Sequence, residues 1–240
     1  RDAEAGDAQA PRQDREGGHH AHQHHHHQHA HPHRSQTWSS DCWKCGEHLA
    51  RANFFCPGCD VIQKPVQPKK EEPAIDFFGL FGLPINYEVD KSKLERLFWN
   101  LQKKLHPDRY NNKTEQEQEF SAEHSSKINE AYQTLKHPIT RAIYMLEQRG
   151  IDALSEGGQT ETDPEILMQA MEDREELDEC NALPELEAMQ ARIEAELAER
   201  EAIVAAAFAQ DDMKAATRAT VNLKYTHKLL EEIKEKRSNL

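Results

Sequence analysis

The apolar positions of this chain recur with helical spacing from residue 76 to the end. Leu94, Leu97, Phe98, Leu101 and Leu105 follow one another at three- and four-residue intervals after an Asp90 placed to cap them, which predicts an amphipathic helix. Before it, "DFFGLFGL" predicts a short helix and Pro84 a loop. After it, Thr114 and Glu117 form the sequence of a capping box, opening a helix with Phe120, Ile128, Ala131, Tyr132 and Leu135 on one side. Pro138 suits the first turn of a fourth helix, which carries Ile139, Ile143 and Leu146 and stops at Gly150. Asp163-Pro164 predicts a fifth helix to about Cys180, Pro184 a sixth to about Phe208, and "QDD" a turn into a seventh. Three long amphipathic helices joined by short turns pack antiparallel as a bundle. Strand periodicity is confined to the cysteine-rich segment, so the expected fold is mainly α.

Stretches without this periodicity divide the chain. Residues 1–36 hold ten of the fifteen histidines and almost nothing apolar, and read as a disordered tail with weak, unselective metal affinity. Residues 37–64 form a small four-cysteine module, and the Pro- and charge-rich 65–75 a linker. A four-helix unit spans 76–149, "DALSEGGQTETD" lies in a second linker at 150–162, and the bundle occupies 163–240.

The formal charge of −13 is uneven, with 22 acidic against 10 basic residues in 150–240. That segment repels nucleic-acid phosphate and favours a basic or mixed protein surface as partner. No run reaches the roughly 18 uncharged apolar residues of a membrane span. The chain begins at Arg1 rather than methionine, as it would after processing or trimming.

Cys42, Cys45, Cys56 and Cys59 lie within 18 positions as two Cys-x2-Cys pairs ten residues apart. Such pairs turn both sulfurs toward one centre, and four thiolates close a tetrahedral Zn²⁺ site with no open position, so one structural zinc is expected. Disulfides fit poorly, because a secreted disulfide scaffold rarely confines its cysteines so tightly and leaves a fifth, Cys180, unpaired. Redox Cys-x-x-Cys motifs occur singly at a helix start. Cys180 and the isolated Met, Trp and remaining His residues read as ordinary packing residues.

Arg96, Asn100, Lys103 and Lys104 form a basic face on the second helix, followed directly by His106, Pro107 and Asp108. Proline ends the helix and stiffens the loop, holding the imidazole and carboxylate at the edge of that face. No nucleophile motif, phosphate-binding glycine loop or second acid accompanies them, so the chain is not expected to be an enzyme. The order of a short helix, a basic helix, His-Pro-Asp, "NEAYQTL" and a fourth helix resembles the J-domain. The resemblance implies that His106, Pro107, Asp108, Arg96, Lys103 and Lys104 engage a DnaK-type (heat-shock 70 class) chaperone and stimulate its ATPase.

A zinc module before the J-domain and an acidic bundle after it, with "CWKCG", "FFCPGCDVIQ", "HPDR", "NEAYQTLKHPITRAIYML", "DPEILMQAMEDREELDE" and "AFAQDDMKAA", resembles the HscB family of iron–sulfur cluster co-chaperones in its animal form. That resemblance implies a bundle that binds the cluster-assembly scaffold protein through Leu167, Met168, Met171, Glu172, Glu175, Glu179 and Tyr225. It further implies delivery of scaffold and cluster to the chaperone, assistance in transfer to recipient proteins, and a mitochondrial matrix location compatible with a cytosolic pool. Helical spacing puts 168, 171/172, 175 and 179 on one stripe. Read from the residues alone, the favoured placement is instead Leu167 and Met171 facing the bundle core with the glutamates as solvated surface. The alternatives are a J-protein adaptor for another client, and a metal-handling protein using the His-rich tail and cysteines. Arg109 stands where many J-domains carry lysine, keeping the charge but changing its hydrogen-bond geometry.

Overall fold

A computed structural model describes residues 40–49, 53–65, 76–152 and 163–240. The His-rich tail and most of both linkers lie outside the described residues. Two two-residue strands, β1 (Ser40–Asp41) and β2 (His48–Leu49), pair antiparallel. Seven helices follow among the described residues: α1 (Phe77–Leu80), α2 (Lys91–Leu105), α3 (Glu115–Lys136), α4 (Pro138–Glu147), α5 (Pro164–Glu179), α6 (Leu183–Ala209) and α7 (Met213–Ser238). The protein is mainly helical, as its periodicity predicts.

Local chemistry sets the boundaries. The Asp90 carboxylate accepts from the Lys93 N–H and opens α2. Thr114 Oγ1 accepts from the Glu117 N–H while Glu117 Oε2 accepts from the Thr114 N–H, satisfying two otherwise orphaned donors at the start of α3. Thr114→Ala removes half of this box and is expected to cost about 1 kcal/mol, read as a lower denaturant midpoint at unchanged slope. Gly150 takes φ +74 just beyond α4, in the left-handed region that ends helices cheaply.

The α2–α3 hairpin departs from simple amphipathicity at its centre. Leu94, Phe98 and Leu105 are buried, but so is Gln102, while Leu97 and Leu101 are only half-buried. Gln102 donates through Nε2 to Asn129 Oδ1 at 3.1 Å and accepts at Oε1 from Ser125 Oγ at 3.0 Å, so the amide ties the two helices together without an unmet polar group. Ser121 Oγ donates to the Leu105 carbonyl at 2.7 Å, serving an acceptor that the proline-ended helix leaves open.

The units at 76–149 and 163–240 share one core. Val204, Ala207 and Phe208 of α6 and Ala216 and Leu223 of α7 are buried in the same cluster as Phe78, Leu94, Leu135 and Leu146. The Phe208 ring stacks on Tyr87 at 5.6 Å, and the Arg149 guanidinium lies over Phe208 and 3.8 Å from Asp211. A second core, built from Leu177, Leu186, Met189, Ile193, Leu229, Leu230 and Ile233, holds the other end of the bundle. The α6 stripe therefore serves two partners, and the two helical units pack directly on each other rather than communicating only through their linker.

Candidate functional site

The cysteine module is built from two similar knuckles. Gly46 N–H donates to the Cys42 carbonyl and Asp60 N–H to the Cys56 carbonyl, each at 2.9 Å. The residue after each pair needs positive φ: Gly46 takes +75, and in the second knuckle Asp60, not a glycine, takes +56. All four Sγ atoms lie within 4.8 Å of one another. The Cys42–Cys59 and Cys45–Cys56 sulfurs are 3.7 Å apart, close to the edge of about 3.8 Å of a tetrahedron with 2.3 Å metal–sulfur bonds. Those separations also exclude disulfides. The donor set fits a resident tetrahedral metal ion held by these four cysteines.

Electrostatics at the knuckles favour a cation. Burial pushes the Cys42 thiol up, but N–H groups of Cys45, Lys44 and Gln63 outweigh it and bring the pKa down to about 6. At Cys45 the Glu47 N–H lowers the pKa, yet the sulfurs of Cys59, Cys42 and Cys56, together with burial, leave it raised. Crowded thiols resist losing more than one proton until a metal supplies the positive charge.

This module docks on α3. Trp43 Nε1 donates to the Ile62 carbonyl at 2.7 Å and its ring meets Phe120 edge-on; Phe54 meets His124 in the same way. His124 Nε2 donates to the Gln63 carbonyl at 2.9 Å, and burial lowers its pKa, so the ring is neutral. The buried Gln63 amide donates to Cys42 Sγ at 3.3 Å and to the Val61 carbonyl at 2.9 Å. One residue thus joins a metal ligand to the helical unit, a link the linker sequence gives no hint of. Gln63→Leu is expected to speed metal loss to a chelator several-fold, since a partner that orients the ligand is lost, and stopped-flow release of the bound metal checks it.

The His-Pro-Asp loop is exposed at His106 and Asp108 and anchored beneath. His106 adopts φ −63, ψ 133, the extended backbone required before proline, and Pro107–Tyr110 then form one 3₁₀ turn that residue spacing had not indicated. His106 Nδ1 accepts from the Asp108 N–H at 3.3 Å and lies 3.6 Å from Asp108 Oδ2. The other ring nitrogen, Nε2, makes no hydrogen bond among the described residues and is available to a partner. Tyr110 is buried, its hydroxyl donating to the Lys104 carbonyl at 3.2 Å. Arg96, Lys103 and Lys104 are exposed on α2 as expected. Between them stands Trp99, 55% exposed, which no motif had marked.

On α5, Ile166, Asp173 and Leu177 turn inward, and Asp173 lies 3.5 Å from Arg192. Leu167, Met168 and Met171 are 40%, 61% and 65% exposed, so the alternative that Leu167 and Met171 are bundle core does not hold. Leu167 and Met171 share a cavity between α5 and α7 with the half-buried Tyr225, and Leu167, Met168, Met171, Glu172 and Glu175 line an adjoining depression. Glu179 is exposed at the last residue of α5, outside both linings. Ion pairs of Arg192 with Glu176 at 2.6 Å, Arg218 with Asp163 at 2.6 Å, and Arg174 with Glu232 hold α5 in place. Cys180 is half-buried at the α5 C-terminus, with its pKa raised by burial. Among the described residues no helix is long and apolar enough to cross a membrane.

A four-helix unit with an exposed His-Pro-Asp loop, fused to an acidic helical hairpin and a third helix, defines a J-domain co-chaperone. Residues 76–144 match the DnaJ domain, and residues 162–234 match the HSCB C-terminal oligomerisation domain. The iron–sulfur cluster co-chaperone protein HscB of Mus musculus is 32% identical over 80% of this chain and 81% of its own. The HscB homolog of Arabidopsis thaliana is 34% identical over 81% of this chain and 73% of its own. The crystal structure of the human co-chaperone protein HscB superposes with a TM-score of 0.74 at 31% identity, covering 84% of this chain and all of that one. The chain belongs to the HscB family of iron–sulfur cluster co-chaperones.

Proposed function

We propose that this protein binds an iron–sulfur cluster-assembly scaffold through the α5 face of Leu167, Met168, Met171, Glu172, Glu175 and Glu179 with Tyr225. It carries scaffold and cluster to a DnaK-type chaperone, whose ATPase it stimulates through His106, Pro107 and Asp108 with Arg96, Lys103 and Lys104. Chaperone turnover then assists cluster transfer to recipient proteins, in the mitochondrial matrix. The protein is no enzyme itself; it changes catalysis in its partner.

The observation that carries this reading is the exposed Met/Leu patch rimmed by carboxylates, on the region that matches the HSCB C-terminal domain. Polarizable methionine adapts to a small apolar partner patch, and the carboxylates favour a basic surround. A scaffold-binding protein requires such a face, and an adaptor for an unrelated client would not bind the scaffold through it. The direct test measures chaperone ATPase with this protein, with the scaffold, and with both. Stimulation by the pair well above the sum of each alone supports the reading, and a scaffold that adds nothing refutes it.

The metal is assigned as one structural Zn²⁺, held by Cys42, Cys45, Cys56 and Cys59. Tetrathiolate coordination matches the geometry and leaves no open position for chemistry. Deleting residues 1–36 should leave one equivalent of zinc by elemental analysis. More than one equivalent, lost with the tail, would favour the metal-handling reading instead.

A further inference from the structure

We propose that Trp99 is the apolar anchor of the chaperone-binding face, packing against a partly apolar, acidic surface of the DnaK-type partner; this rests on the chaperone-binding reading above. The α2 sequence carries five cations, Lys91, Lys93, Arg96, Lys103 and Lys104, against one carboxylate, Glu95. Among the described residues none of the five makes an ion pair. Other elements pair some of their cations, Lys127 with Glu130, Arg174 with Glu232, Arg192 with Glu176 and Arg218 with Glu165, and leave others such as Lys113 and Lys224 unpaired. What sets α2 apart is the density of five cations against one carboxylate within 15 residues. A cationic face left unneutralised, in a chain of net charge −13, is suited to an acidic partner surface.

Trp99 stands inside that face. Helical spacing lines up Arg96, Trp99 and Lys103 and continues the line toward His106, so the indole adjoins the His-Pro-Asp loop. Glu95 flanks it on one side only. A tryptophan on a helix normally turns inward, and this one is the exposed member of an aromatic pair whose inner member is buried. Its ring meets Phe98 edge-on at 5.0 Å, and Phe98 stacks on Tyr132 at 4.1 Å. The indole is therefore held against a fixed support, and little side-chain freedom remains to be lost on binding. A large, pre-positioned aromatic inside a charged rim is the pattern of an interface hot spot, where the rim steers encounter and the aromatic sets the dissociation rate.

The test is a titration of the DnaK-type chaperone's ATPase with the full chain, comparing the parent, Trp99→Gln, Trp99→Phe and the His106-Pro107-Asp108 triple alanine variant. Glutamine keeps helix propensity and removes the ring. Trp99→Gln should raise the half-saturating concentration about tenfold while leaving maximal stimulation, scaffold binding and melting temperature unchanged, and Trp99→Phe should recover most of the loss. Half-saturation within twofold of the parent for Trp99→Gln, or loss of maximal stimulation instead of affinity, overturns the anchor, provided that the triple variant is inactive. A triple variant that stimulates like the parent overturns the chaperone-binding reading underneath.

Discussion

Changing His106, Pro107 and Asp108 to alanine should abolish stimulation of the chaperone's ATPase and leave the rest of the molecule standing. His106 and Asp108 are exposed and contribute one loop hydrogen bond, from the Asp108 N–H to His106 Nδ1. Losing that bond and the proline's rigidity should cost about 1 kcal/mol, a shift of a few degrees in melting temperature. The supports below are untouched, since Tyr110 still reaches the Lys104 carbonyl and Ser121 still reaches that of Leu105. Lost stimulation then reports the loop's own groups, the exposed imidazole and carboxylate on a stiffened turn, and not a collapsed hairpin. Scaffold binding should change by less than about twofold, because no described hydrogen bond, ion pair or ring contact joins this loop to the α5 face. That control matters here, since the two helical units share a core through Phe208 and Val204. A variant that still stimulates turnover like its parent would refute the assignment.

Much of this arrangement is legible in the residue order, and the illegible part has a common cause. Caps at Asp90 and Thr114, prolines at 138 and 164 and the spacing of four cysteines are local signals, each written within a few residues of where it acts. Gln63, Gln102 and His124 are polar residues that become buried because a partner 21, 23 or 61 positions away meets their hydrogen-bonding needs. Periodicity marks such positions as surface, since a polar side chain looks identical whether water or a distant amide satisfies it. The α6 stripe illustrates the same limit. Leu186, Met189 and Ile193 face the bundle core while Val204, Ala207 and Phe208 join the other cluster, yet Leu197 packs against both and carries the same helical stripe between them. Trp99 fails in the opposite sense, for its type suggests burial and only the packed hairpin reveals that Phe98 took the inward place.

Exchanging Leu167, Met168 and Met171 together for glutamine should weaken scaffold binding by about a hundredfold or more while the protein stays folded. An exposed apolar patch gains most when a partner desolvates it fully, and truncating a central interface side chain commonly costs about 1–3 kcal/mol, though three neighbours do not add simply. Glutamine is the informative replacement because its helix propensity is close to that of leucine and methionine, whereas three serines in α5 would add roughly 1 kcal/mol of helix cost and blur the result. At 40%, 61% and 65% exposure these side chains contribute little to the native core, so the melting temperature should move by no more than a few degrees. Leu177→Ala supplies the contrast: it is 4% exposed in the bundle core, so it should cost about 2–5 kcal/mol and melt early. Reversing Glu172 and Glu175 to lysine separates the rim from the centre, slowing association and flattening its salt dependence more than it speeds release. The triple glutamine variant should still stimulate basal chaperone turnover, since His106, Pro107 and Asp108 are intact, but the added increment from scaffold should vanish. If it binds scaffold like the parent, the α5 face is not the docking surface and the adaptor reading gains. If it melts as early as Leu177→Ala, the patch holds the bundle together, and its exposure has been misread as function.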